Sequence, residues 1–110
     1  MPQVKVKTSK PLTYYVDSPS VRVFQEFAGE SLDKLDQFEA WDIITVLCQA
    51  VAISTANDQL TIDIPEAIEC LDLALSENCQ ECLNALDGFA SNKVNALMLG
   101  ILAVAFDGDE

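Results

Sequence analysis

The chain has 110 residues, 50% of them apolar, with 6 basic and 18 acidic side chains, no histidine and a formal net charge of −12. That is the length of one domain, and its charge opposes contact with nucleic-acid phosphates and anionic lipid while favouring basic protein surfaces. The missing histidine removes the commonest general base and the commonest metal ligand.

The charge is unevenly placed. The first 34 residues carry +5 and −4, and the remaining 76 carry +1 and −14. The same acidic stretch holds the long apolar runs Ile43–Ile53 and Ala96–Phe106. A compact helical body with an apolar interior and an anionic skin is expected. Met1-Pro2-Gln3 leads into alternating residues without the apolar core of a secretory signal. The longest apolar run, Ala96–Phe106, has 11 residues, against the roughly 20 needed to cross a bilayer. The expected protein is soluble and cytoplasmic, with Cys48, Cys70, Cys79 and Cys82 as reduced thiols.

Residues 3–16 read as strand. Val4-Lys5-Val6-Lys7-Thr8 alternates apolar and basic, Ser9-Lys10-Pro11 interrupts, and Leu12-Thr13-Tyr14-Tyr15-Val16 has the aromatic and β-branched content of a second strand. A hairpin or extended arm over residues 1–17 follows, and a lone hairpin must pack on something to be stable. A helical domain over 18–106 comes next. Ser18 and Pro19 give an N-cap and first helical position, and Val21, Phe24, Phe27 and Ala28 form a stripe that stops at Gly29. A further helix start is read at Ser31, with Leu32 and Leu35 on one side.

The central helix is predicted over Phe38–Ala56. Trp41, Ile44, Leu47, Cys48 and Val51 recur at 3-and-4 spacing, while Ile43, Val46, Ala50 and Ile53 cover other faces. A helix apolar nearly all round is expected to be buried on several sides. After the polar break Ala56–Gln59, Leu60–Ile64 alternates as a short strand does, and Asp63-Ile64-Pro65-Glu66 equally reads as the beginning of a helix. Ile64, Ile68, Leu71 and Leu75 form one face, and Ser76-Glu77-Asn78 breaks the pattern. Cys79, Cys82, Leu83, Leu86 and Phe89 form the next face, ended near Asp87-Gly88. Ser91 caps a last helix from about Asn92 to Phe106, and residues 107–110 are an acidic tail, poorly placed at the negative end of a helix dipole. The fold expected is mainly α, one small domain of four to five helices with the short N-terminal arm.

No residue set converges on chemistry. Cys79-Gln80-Glu81-Cys82 is a CxxC, but a zinc site wants four ligands and only Cys70 and Cys48 remain to complete one. Gln-Glu between the cysteines, with Glu77 nearby, disfavours a redox pair. The spacing of Cys79, Cys82, Leu83 and Leu86 suits a core face, which is the preferred reading. Glu66, Glu69 and Asp72 recur every three residues as a ladder facing water or a basic partner. Asp58, Asp63 and Glu66 lack the spacing and central glycine of a calcium loop. Lys5, Lys7 and Lys10 are too few to bind nucleic acid against the total charge. No metal or cofactor is expected, and no catalytic role.

The two apolar helices carry more information. A chain this short can surround one such helix but has trouble surrounding two. Either one is central and the other partly exposed, or an apolar face is covered by another copy or by a client protein.

Val21-Arg22-Val23-Phe24-Gln25-Glu26-Phe27-Ala28-Gly29-Glu30-Ser31-Leu32-Asp33-Lys34-Leu35 resembles the signature region of small tail assembly chaperones from long-tailed bacteriophages. There an Arg-x-Phe-Glu-Glu-x-Thr-Gly-x-Ser-Leu-like helix precedes one rich in Leu and Ala, here Asp42–Ala56. An acidic segment opening with Leu-Thr follows, here Leu60-Thr61 through Ile68. The likeness covers roughly residues 12 to 75. Phe24-Gln25-Glu26-Phe27-Ala28-Gly29 departs from the usual motif, and the helices after residue 75 have no counterpart. The resemblance implies a non-catalytic helper that binds an apolar, coiled-coil-prone tape measure protein and keeps it soluble. The partner-facing set expected is Phe24, Phe27, Trp41, Leu97, Ile101 and Phe106. The competing expectation is an acidic mimic of nucleic acid that occupies a basic groove of a host protein, which needs carboxylates lined along one surface.

Overall fold

The structure, a computed structural model, describes residues 11–29 and 32–106. Over these the protein is mainly helical and forms a single small domain with no named strand. A four-residue helical turn, α1 (Leu12–Tyr15), precedes five longer helices: α2 (Pro19–Ala28), α3 (Gln37–Ala56), α4 (Ile64–Leu71), α5 (Glu77–Ala85) and α6 (Val94–Phe106). A 3-10 turn, Ser91–Lys93, leads into α6.

The second half of the predicted hairpin is corrected. Leu12-Thr13-Tyr14-Tyr15 is helical, whereas the first half, residues 3–8, lies outside the described residues. A strand would put Leu12, Tyr14 and Val16 on one face. The helical turn instead aligns Leu12 with Val16, four residues on, and buries both while Tyr14 faces outward. Burial of that pair, with Leu12 resting on α6 beside Gly100, outweighs the weak strand preference of the segment.

Helix α2 begins as its sequence specifies. The Ser18 hydroxyl accepts from the Val21 amide at 3.2 Å, Pro19 occupies the first turn, and Gly29 leaves the helix at φ +93°. Val21, Phe24 and Ala28 are buried. The helix start read at Ser31 lies outside the described residues, and Leu32–Leu35 after it form a turn in which the Lys34 amide donates to the Ala28 carbonyl. Chain direction is reset at Asp36. Its carboxylate accepts from the Glu39 amide while Glu39 accepts from the Asp36 amide, a reciprocal cap that starts α3 one residue before Phe38.

Helix α3 packs against α4, α5 and α6. Ala40, Ile43, Ile44, Val46, Leu47, Ala50 and Ser54 are its buried residues. With 20 residues and a mean hydropathy of 1.3 in its most apolar window, α3 is long and apolar enough to cross a membrane by length and composition. Uninterrupted apolar runs did not single it out, because Thr45 and Gln49 divide them.

Both readings of Leu60–Ile64 are partly realised. Thr61 forms an isolated antiparallel bridge with Ala90, and Asp63 caps α4 by accepting from the Glu66 amide. The Asp87 carboxylate accepts from the Ile64 amide at 2.9 Å, so the loop after α5 also holds the start of α4. Helix α4 ends at Leu71, where Asp72 turns left-handed at φ 54°, and Leu75 lies beyond it. Ser76, expected to be part of a break, is instead the N-cap of α5, its hydroxyl accepting from the Cys79 amide. The expected α5 face, Cys79, Cys82, Leu83, Leu86 and Phe89, is buried throughout. Ser91, read as a cap, turns its hydroxyl to Ser54 of α3.

Candidate functional site

Three contacts fix α3 against α6 and the 3-10 turn that leads into it. Trp41 and Phe106 rings lie 4.8 Å apart at their centroids, Cys48 Sγ is 3.6 Å from Met98 Sδ, and the Ser54 and Ser91 hydroxyl oxygens are 2.5 Å apart. As residue numbers rise on α3 they fall on the α6 side, so the two helices run antiparallel. Ser54 is fully buried at the closed end, whereas the Trp41 end is open to solvent.

The outward side of this seam is uncharged and largely apolar. On α3, Phe38, Trp41, Thr45, Cys48, Ala52 and Thr55 are all exposed and follow one another at alternating 3 and 4 residues. On α6, Asn95, Leu99, Leu102 and Phe106 repeat at 4, 3 and 4 residues and are exposed or half-buried. These are the spacings of a coiled-coil seam, by which one helix face stays directed at a helical neighbour. Phe38 is 82% exposed, Trp41 51% and Leu99 63%. No stripe residue on either helix is charged, while Glu39 and Asp42 lie off the α3 stripe at its first turns.

The charges are elsewhere. Arg22 and Glu26 on α2, Glu66 and Glu69 on α4, and Glu77 and Glu81 on α5 are exposed. Asp63, Glu66 and Glu69 line an open groove with Pro65 and Ile68 of α4 and Asn84 of α5. Arg22 makes two hydrogen bonds to Asp17, at 2.9 and 2.8 Å, which lower the Asp17 carboxyl below its ordinary value and raise the Arg22 guanidinium above its own.

The six residues expected to face a partner divide into two sets. Phe24, Leu97 and Ile101 are fully buried, a correction to their expected role: their side chains are spent on the core and offer no surface. Phe27 on α2, 38% exposed, stands apart from the α3/α6 seam on another helix. Trp41 and Phe106 are brought together at one end of the strip. Sequence reasoning missed Phe38, Thr45, Cys48 and Leu99. The signal for the three on α3 was present as its second 3-and-4 register, but the first register, Ile43, Ile44, Leu47 and Ala50, is apolar as well, and Leu99 lies on a helix that is apolar nearly all round. A helix with two apolar registers does not say which is inward.

The CxxC cysteines belong to the interior. Cys79 and Cys82 are both fully buried, and burial raises both thiols, that of Cys82 to about 12. The Cys79 thiol donates to the Glu39 carbonyl at 3.6 Å. A thiol held protonated this way is a poor nucleophile and a poor metal ligand. Among the described residues no three metal-capable side chains converge.

No protein-family model matches the chain, and neither a curated protein nor a solved structure matches it.

Proposed function

We propose that the protein acts by contact and carries out no reaction: it is an acidic binding module that covers apolar helical surface on a partner protein, in the manner of a phage tail assembly chaperone acting on a coiled-coil-prone, tape-measure-like client. The observation that carries this reading is the uncharged strip of α3 and α6, exposed in a chain of net charge −12. Leaving Phe38, Trp41 and Leu99 in water sacrifices about 25 cal/mol for each Å² of apolar surface that contact would cover. The 3-and-4 spacing suits an amphipathic helix laid along the seam. The carboxylates of α4 and α5 then keep the loaded complex soluble.

The exposed acids of α4 support the competing reading, charge mimicry toward a basic groove, and salt separates the two. A synthetic peptide with leucines at alternating 3-and-4 spacing is titrated into the protein, and emission from Trp41, the single tryptophan, is followed. Masking of the strip shifts the emission to shorter wavelength, with an affinity that changes less than about 2-fold from low to high salt. Absence of a shift, or an affinity that falls about 10-fold or more as salt screens the charges, defeats the reading. Co-expression with an aggregating coiled-coil polypeptide supplies the second measurement, with transfer of that polypeptide to the soluble fraction expected.

A further inference from the structure

We propose that the basic segment read at residues 3–8 adds as a strand to the open edge at Leu60–Ile62 of its own chain, with Lys5 and Lys7 against the carboxylates of Asp63 and Asp87. This edge is separate from the α3/α6 strip, so its fate leaves the proposed function untouched.

The hydrogen-bond pattern leaves the edge open. The Ser91 amide donates to the Leu60 carbonyl at 2.9 Å, and the Ile62 amide donates to the Phe89 carbonyl at 3.0 Å. These bonds flank the Thr61–Ala90 bridge, so the Thr61 N–H and C=O point away from Ala90. Among the described residues neither group has a hydrogen-bond partner. On the other strand the Ala90 carbonyl accepts from the Lys93 amide, and the 3-10 turn closes that side. An unpaired edge is a template for one more extended segment.

Chemistry selects the occupant. Two open grooves flank Leu60 and Thr61. One carries the Asp63 and Asp87 carboxylates beside Ile62, and the other, toward Ala90 and Asn92, carries no charged residue. Val4-Lys5-Val6-Lys7 alternates, and an extended chain sends successive side chains to opposite sides. The lysines then meet the carboxylates, while the valines cover Leu60, which is 86% exposed. Residues 1–10 hold three lysines and no acid, whereas the rest of the chain has 3 basic and 18 acidic side chains. Arg22, Lys34 and Lys93 are far apart in sequence, so no other segment offers clustered cations.

The segment is long enough. Residue 11 leads directly into α1, which rests on α6 at Gly100. From Gly100 back to Ala90 the chain is helical, a path of about 15 Å. Adding the breadth of one helix, about 10 Å, leaves roughly 20 Å between the start of α1 and Thr61. Seven extended residues cover about 23 Å, which brings the neighbourhood of Val4 and Lys5 to the edge. Tethering through α1 holds the segment at a local concentration on the order of millimolar, so a few weak contacts suffice.

Amide hydrogen exchange followed by NMR on the full chain tests this, at low and high protein concentration. The Thr61 amide and amides within residues 4–8 are expected to exchange at least about 10-fold more slowly than in an unfolded chain. The protection declines as salt rises, because screening weakens the lysine–carboxylate attraction. Thr61→Pro deletes a donor that the fold itself does not use, and the double variant Lys5→Glu with Lys7→Glu reverses the charge. Each returns residues 4–8 to unfolded-chain rates with helical content preserved. Should Thr61→Pro lower the helical content, the lysine reversal, outside the helical body, decides alone. Unfolded-chain rates over residues 4–8 in the wild type overturn the inference, as does protection that survives the lysine reversal. Protection that grows with protein concentration makes another copy's segment the occupant and overturns it as well.

Discussion

Trp41 and Phe106 meet with ring centroids 4.8 Å apart and planes inclined by 32°, joining the second turn of α3 to the last residue of α6. The pair ties two helix ends that the chain separates by 65 positions, and half of Trp41 remains in water. Such a pair contributes about 1 kcal/mol beyond simple burial.

Phe106→Ala should therefore destabilise the fold by about 1–2 kcal/mol and move Trp41 emission to longer wavelength in the native state. Chemical denaturation followed by fluorescence measures both in one experiment, since the chain has 1 tryptophan. Unchanged native emission would mean that the rings do not pack in solution.

Gly100 is where α1 rests on α6. A Cβ added there meets Leu12 Cδ1 at 2.7 Å and Tyr15 Cβ at 2.9 Å. The leucine methyl can swing aside, but Tyr15 Cβ is fixed to its backbone, so α1 must shift. Gly100→Ala is expected to destabilise by about 1–3 kcal/mol, despite a helix-propensity gain of about 1 kcal/mol. Protease cleavage near Thr13–Val16 should accelerate, and equal or greater stability would remove α1 from its place on α6.

Ser54 is the buried polar side chain among the core residues, and its hydroxyl has the Ser91 hydroxyl at 2.5 Å and the Gln59 carbonyl at 3.5 Å. Ser91→Ala leaves Ser54 with the long contact alone and should destabilise by about 1–2 kcal/mol. In the double variant Ser54→Ala with Ser91→Ala, the loss should be smaller than the sum of the two single losses, because no unsatisfied hydroxyl remains. Additive losses in urea denaturation would show that the two groups are uncoupled.

The buried thiols set a reactivity pattern and a pH dependence. Cys48 and Cys70 are exposed and Cys79 and Cys82 buried, so a thiol reagent should label the first two in the native protein and all four after unfolding. Cys82 is neutral when protonated, and burial raises it from 9.0 to about 12. Between those values the unfolded chain has lost the proton that the folded chain keeps, so stability falls as pH rises through that window and is unaffected by this group below it. Cys82→Ala should flatten the slope relative to the wild type across the same window while lowering stability at neutral pH. Parallel profiles for the two proteins would contradict the assignment.

Much of the local structure was legible because short-range chemistry dictates it. Ser18-Pro19 started α2, Gly29 ended it, and the face of Cys79, Cys82, Leu83, Leu86 and Phe89 went to the core as its spacing requires. Two local readings failed for a shared reason. Leu12–Val16 had strand composition but became helical, because a helical turn buries Leu12 and Val16 while leaving Tyr14 outside. Ser91 had cap chemistry but turned to Ser54, a partner 37 positions away. In both cases a contact distant in sequence outweighed a preference worth at most about 2 kcal/mol.

The sequence by itself determined the mainly helical fold, the anionic skin and the presence of more apolar helix than so small a body encloses. Spacing, capping residues and charge placement act within a few residues, so they are readable one segment at a time. Only the tertiary structure decided which apolar side of α3 and α6 faces inward. Both helices are apolar around most of their circumference, and the choice depends on where α1, α4 and α5 pack, which no local pattern encodes. That choice sent Leu97 and Ile101 to the interior and left Phe38, Trp41 and Leu99 in water.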